Sequence, residues 1–150
     1  MKTEKAEVEW IYYENGQLEC EEYFIEGKRH NPNGPAYRSW YEGGQLLVEE
    51  YYIEGKRHNP NGPAYIAWCE NGQLKCESYY IEDKLHNPNG PAYRSWWAAG
   101  QLRYEKYWID GKLLTKEQFE NRNTTCNNKI VEIDGKKYRL QEFVWHIWIL

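Results

Sequence analysis

Three residue types recur in this chain at spacings that could support chemistry. His30, His58 and His86 each open the same octet, His-Asn-Pro-Asn-Gly-Pro-Ala-Tyr, and imidazoles serve as metal ligands and proton shuttles. Glu21, Glu49, Glu77 and Glu105 recur in step with tyrosines, and two carboxylates at a suitable separation can share acid/base work. Cys20, Cys69, Cys76 and Cys126 supply four thiols. What these residues can do depends on the elements that carry them.

Those elements repeat. Gly16, Gly44, Gly72 and Gly100 fall 28 residues apart, each followed by Gln-Leu. Tyr23, Tyr51, Tyr79 and Tyr107 keep step, as do Ile25, Ile53, Ile81 and Ile109, and then Trp40, Trp68 and Trp96. A fixed period of this size marks stacked supersecondary units. The segments between glycines, such as Ala36–Tyr41 and Leu46–Ile53, are rich in Tyr, Trp, Val and Ile and hold no Gly or Pro, which suits strands. Ala98-Ala99-Gly100 resists a two-residue turn with positive φ at both positions, so each hairpin is expected to close by a type I turn ending in a left-handed glycine. The longer connection Glu54–Pro63 is expected to be an ordered turn.

That turn predicts a register. Trp40 faces Leu46, Trp68 faces Leu74 and Trp96 faces Leu102, with Tyr12 and Leu18 in the first unit. Arg38 shares their face with Val48, as do Ile66 with Cys76 and Arg94 with Tyr104. The other face pairs Tyr37 with Glu49, Tyr65 with Glu77 and Tyr93 with Glu105. The Trp/Leu face is the expected core side, although the four recurring isoleucines fall on the opposite parity unless a bulge intervenes.

Equivalent residues of neighbouring hairpins then lie two strands apart, about 9–10 Å. Two ligands of one zinc at about 2 Å each do not span that gap, so no shared metal is expected of the histidines. Their expected role is to hydrogen-bond loop backbone beside Asn31, Asn59 or Asn87; the alternative is a repeated contact row for a partner. Four equivalent carboxylates give no reason for one pKa to depart from the rest, and Tyr–Glu hydrogen bonding is expected instead. Cys20 and Cys76 sit about 19 Å apart by the same spacing, beyond disulfide reach. No catalytic residue, metal or cofactor is expected.

The period stops after Lys112. Thr115 with Gln118 three residues on forms a capping-box pattern for a short helix, and Asp134-Gly135 centres a hairpin. A final strand through Val144, Trp145, Ile147 and Trp148 is apolar on both faces; it is expected either to cap the last repeat or to form a dimer or partner interface. The expected fold is mainly β: a single antiparallel meander of repeated hairpins over 1–112, then a short helix and a capping hairpin over 113–150.

Composition narrows the function. Aromatic residues make up 17% of the chain, with 8 Trp and 14 Tyr against 3 Phe, side chains that suit half-buried or binding surfaces. A net charge of -4 argues against a protein that grips nucleic-acid backbone. No apolar leader or membrane span is visible, and a cytoplasmic location with free thiols is expected.

The pattern Tyr-x-Asn-Gly-Gln-Leu, then Tyr-x-x-Gly-Lys, then His and Gly-Pro-Ala, running from Trp10 to Lys112, resembles the MORN-repeat variant family. Asp83 replaces the glycine of Gly-Lys in one copy. The resemblance implies an architecture without a common catalytic residue, and some such repeats act as antitoxins or occur in phages and large viruses. The expected function is therefore non-catalytic binding of a protein partner, for instance as an inhibitor of a bacterial defence or toxin protein. The alternative is a groove of aromatic and arginine side chains that sequesters a nucleotide-like ligand. Candidate contact residues are Trp40, Trp68, Trp96, Arg38, Arg94, His30, His58, His86, Trp145 and Trp148, with homodimerisation through the C-terminal strand as a further expectation.

Overall fold

Glycine closes each long hairpin. Gly44 has φ +84°, and its counterparts Gly16, Gly72 and Gly100 lie between +80° and +84°, where a side chain would be strained. The Gly44 N–H donates to Tyr41 O and the Tyr41 N–H to Gln45 O, both at 2.8 Å. This is the expected three-residue loop, and the same two bonds close the other three copies.

The computed structural model describes residues 6–122, 130–133 and 136–139, and the chain divides into two compact units, Met1–Leu113 and Leu114–Leu150. The first unit begins with β1 (Ala6–Tyr12), β2 (Leu18–Ile25), β3 (Lys28–Arg29), β4 (Tyr37–Trp40) and β5 (Leu46–Glu50). It continues through β6 (Tyr52–Ile53), β7 (Lys56–Arg57), β8 (Tyr65–Trp68), β9 (Leu74–Ser78), β10 (Tyr80–Ile81) and β11 (Lys84–Leu85). β12 (Tyr93–Trp96), β13 (Leu102–Ile109) and β14 (Lys112–Leu114) follow. The long strands form one antiparallel meander in the order β1-β2-β4-β5-β8-β9-β12-β13-β14, with β3 also on β2.

Trp40 pairs with Leu46, Trp68 with Leu74 and Trp96 with Leu102, as the turn predicts. One step further in, the register differs from expectation. Ser39 faces Val48, Arg38 faces Glu49 and Tyr37 faces Glu50. A bulge at Leu47, repeated at Glu19, Lys75 and Arg103, sets two residues against one and reverses the faces beyond it. The expected Tyr37–Glu49, Tyr65–Glu77 and Tyr93–Glu105 pairs are therefore replaced by Arg38–Glu49, Ile66–Glu77 and Arg94–Glu105. In the continuous strands β2 and β13 the same bulge returns Ile25 and Ile109 to the parity of the Trp/Leu face.

The buried face is also the reverse of the one expected. Cys20, Ser39, Glu50, Ala67, Ser78 and Ser95 are buried, whereas Trp40, Trp68 and Trp96 are half-buried. The reason lies in the connection Glu54–Pro63, which is itself partly a hairpin. After Glu50 the chain turns a corner at Tyr51, whose N–H donates to Ala64 O while its carbonyl accepts from His58 N. The chain then forms the two-stranded ladder β6–β7 around Glu54 (φ +52°) and Gly55 (φ +80°). Positive φ at both central positions defines a type I′ turn, whose twist matches the flanking strands. β10–β11 repeats it. These short hairpins bond to their neighbours in turn: Asn31 N–H to Tyr52 O, Gly55 N–H to Arg29 O, Asn59 N–H to Tyr80 O and Asp83 N–H to Arg57 O.

Between the long sheet and this row of short hairpins sit arginines and tyrosines. The Arg57 guanidinium lies 5.6–5.8 Å from the ring centroids of Tyr52, Tyr65 and Tyr80, and it pairs with buried Glu50 at 3.2 Å. Tyr52 donates its hydroxyl to the same carboxylate. Arg29 does likewise between Tyr37 and Tyr52, paired with Glu22 at 2.8 Å. Such cation–π contacts contribute roughly 0.5–2 kcal/mol each, more as water is excluded. Ala36, Ala64 and Ala92 are fully buried; each donates its N–H to the last residue or a late residue of one long strand and accepts through its carbonyl from a corner or strand tyrosine of another segment.

In the second unit, α1 (Lys116–Asn121) starts at Thr115 with the predicted capping box. β15 (Ile130–Ile133) and β16 (Lys136–Arg139) pair antiparallel, flanking the predicted turn at 134–135, which lies outside the described residues, as does the final apolar strand.

Candidate interaction surface

The octet that begins at each histidine builds a loop whose shape depends on its first asparagine. Asn59 Oδ1 accepts from the Asn61 N–H at 3.1 Å, and Asn59 Nδ2 donates to Pro63 O at 2.9 Å. Asn31 and Asn87 repeat both bonds. One amide side chain thus fixes a Pro-Asn-Gly-Pro loop from within. The histidine beside it works outward. His30 Nδ1 accepts the Glu54 N–H at 3.1 Å, so a residue of the next short turn is held by the imidazole, and the ring's hydrogen sits on Nε2. His58 Nδ1 lies 2.9 Å from Glu82 Oε1, and His86 Nδ1 2.7 Å from Asp110 Oδ1. The histidines bind loop residues of the next repeat rather than their own loop. No group of three or more His, Cys, Asp and Glu side chains placed to hold a metal is found among the described residues.

Successive loops enclose a groove. Asn31, Pro32, Asn33 and Gly34 form one wall and Asn59, Pro60 and Asn61 the other, with Tyr51, Ile53 and His58 also lining a space of about 520 Å³. One repeat further on, Asn59–Gly62 and Asn87–Asn89 flank Tyr79, Ile81 and His86 around about 260 Å³. His30 lines a smaller depression with Ile25, Glu26, Lys28 and Glu54. The grooves bring His58 and His86 together with Tyr51, Ile53, Tyr79 and Ile81, which the sequence reading did not single out; their strict 28-residue recurrence was the available signal.

The other candidates lie elsewhere. Trp40 lines a separate shallow hollow with Gln17, Leu18 and Gly44, and the Trp40 and Trp68 carbonyls accept the hydroxyls of Tyr13 and Tyr41. Arg38 bridges Glu21 at 3.0 Å and Glu49 at 2.9 Å. Arg94 bridges Glu77 at 3.1 Å and approaches Glu105 at 3.9 Å. Glu21, Glu49 and Glu77 therefore pair with arginine rather than with tyrosine as expected, because the bulge places them on the arginine row, whereas Glu105 accepts the Tyr107 hydroxyl at 2.7 Å, a tyrosine–glutamate bond of the expected kind. Burial pushes the Cys20 and Cys76 thiols up from their ordinary value. Tyr93 is pushed up to about 12, by burial first and by its neighbour Tyr104 second. Trp145 and Trp148 lie outside the described residues.

Residues 8–26 and 36–54 each match the family model described as MORN repeat variant. Two of the repeats are thus of that family's kind. The first match begins within β1 and the second one residue before β4, and each ends in the short turn that follows its long hairpin, so the family's unit coincides with the paired hairpins seen here. No curated protein and no solved structure is significantly similar to the chain. MORN repeats are generally associated with protein or membrane interaction and are typically non-catalytic. No described helix is long and apolar enough to cross a membrane.

Proposed function

We propose that the repeat unit is a non-catalytic scaffold that binds an extended segment of a protein partner along its row of loop grooves. The observation that supports this is the recurrence of the groove with the repeat: each has an apolar Tyr/Ile lining, asparagine and proline walls and a histidine. An extended chain crossing it meets the same contacts once per repeat, and aromatic- and proline-lined grooves suit such segments. The lining residues of both grooves include no lysine or arginine, and Arg38 and Arg94 are paired with glutamates. That disfavours a nucleotide, whose phosphates call for cations. A toxin or defence protein is the partner class that the family resemblance supplies.

The test is comparative capture. Asn33, Asn61 and Asn89 are the exposed tips of the loops, and their side chains have no part in the asparagine staple. Asn61→Arg and Asn89→Arg should abolish retention of a partner that the unmodified chain retains stoichiometrically, with unchanged melting temperature. A partner retained equally by both proteins, or no stoichiometric partner for either, overturns the proposal.

A further inference from the structure

All seven exposed large hydrophobic residues among those described lie in the first strand or the last repeat: Trp10, Ile11 and Tyr12 on one side, Trp97, Leu102, Tyr104 and Leu113 on the other. These are the two ends of the meander. β1 is the first strand of the sheet, and beyond β13 the order contains only β14, the short return strand of the same hairpin. Open sheet edges present unpaired backbone donors and acceptors, and here both carry apolar side chains.

The repeat dictates how two such edges would meet. Within the chain, the second strand of one hairpin pairs with the first strand of the next: Val48 with Ala67, Glu49 with Ile66 and Glu50 with Tyr65. Advancing the first set by two periods of 28 gives Tyr104, Glu105 and Lys106, and moving the second set back by the same amount gives Ile11, Trp10 and Glu9. Laid side by side in that register, two copies set Tyr104 against Ile11 and Lys106 against Glu9. Glu9 and Lys106 are both exposed, and opposite charges directly across a strand pair are favourable. β1 carries Glu7 and Glu9 and no basic residue, whereas β13 carries Arg103 and Lys106 with a single acid, Glu105.

We propose that the chain self-associates head to tail, with β13 of one copy pairing with β1 of the next in the register of the internal repeat. The contact is heterologous, so its two surfaces differ and nothing in it closes the assembly at two copies. It uses the sheet ends and not the loop grooves, so it stands or falls independently of partner binding.

Sedimentation velocity on the purified full chain, over a concentration series, tests this. The weight-average mass should rise past twice the 18.1 kDa of the monomer without a plateau. Glu9→Lys and Lys106→Glu should each weaken association on the order of tenfold, since each turns an attractive cross-strand pair into a repulsive one, and mixing the two single variants should recover it, because alternating copies again set Lys against Glu at every contact. The double variant should restore it to within about threefold. Melting temperature serves as the control for folding. A monomer at every concentration, the result if the chain's own segment after Arg122 covers β13, overturns the proposal, as does a closed dimer or an assembly indifferent to both swaps.

Discussion

The second and third repeats share a backbone but fill their interiors differently. In the second, buried Glu50 pairs with Arg57, and Tyr52 donates to the same carboxylate. In the third, Ser78 and Leu85 occupy those two positions. Acid and base have been exchanged together, for a small polar residue and an aliphatic one. Buried ion pairs contribute little net stability over an apolar pair, but losing one partner leaves a stranded charge. The fold therefore requires the two positions to agree and does not require them to be charged. The short turns differ too: Gly55 at φ +80° becomes Asp83 at φ +63°. The Asp83 carboxylate accepts the Arg57 N–H at 2.8 Å, a contact glycine cannot make, which offsets the strain of a side chain there.

The largest effect should come from breaking the agreement. Arg57→Leu strands Glu50 and removes three tyrosine contacts; with the arginine about one-third exposed, the cost should be about 2–3 kcal/mol in urea unfolding, below the fully buried range. Adding Glu50→Ser, which copies the third repeat, should recover more than half of that, and a double variant no better than the single would refute the comparison. The reverse graft, Ser78→Glu alone, should cost about 2 kcal/mol and be rescued by Leu85→Arg. Asn59→Ala removes two loop bonds and should cost roughly 1–2 kcal/mol; a loss as large at Asn61, whose side chain is not part of the staple, would show that the staple is misassigned.

Turn exchanges are smaller. Gly55→Ala should cost about 1 kcal/mol from the left-handed backbone. Gly55→Asp should cost measurably less, because its carboxylate can reach the Arg29 N–H as Asp83 reaches that of Arg57. The subtlest readout is chemical. Cys76 stands where the second repeat has Val48, and burial raises its pKa, so little thiolate exists at neutral pH and alkylation should be slow. Ser78→Glu sets a carboxylate two residues along the same strand, which disfavours the thiolate further, so alkylation should slow, and adding Leu85→Arg should reverse part of that, as peptide mass spectrometry would show.

The hairpin count, the glycine turns, the Trp–Leu pairs beside them and the capped helix were legible because each depends on local chemistry: a left-handed glycine, or a Thr with a Gln three residues on. The bulge was not, because Glu19, Leu47, Lys75 and Arg103 share no side-chain property; ladder geometry alone selects the position. Its trace was the misplaced parity of Ile25 and Ile109. The short hairpins were half visible in Glu-Gly and Asp-Gly, masked by Glu82-Asp83, which lacks the glycine. The groove escaped notice because its wall comes from two loops 28 residues apart, and no window along the chain contains both.

The bonds that join successive short hairpins reach only from each copy to the next, as from Asn31 to Tyr52 and from Asn59 to Tyr80. Length is therefore an adjustable quantity in this protein. Excising or duplicating one 28-residue block, cut at the same point in two copies, would rejoin matching surfaces and yield a shorter or longer body of the same cross-section. A gene of this kind can change its reach by unequal recombination without inventing a single new contact.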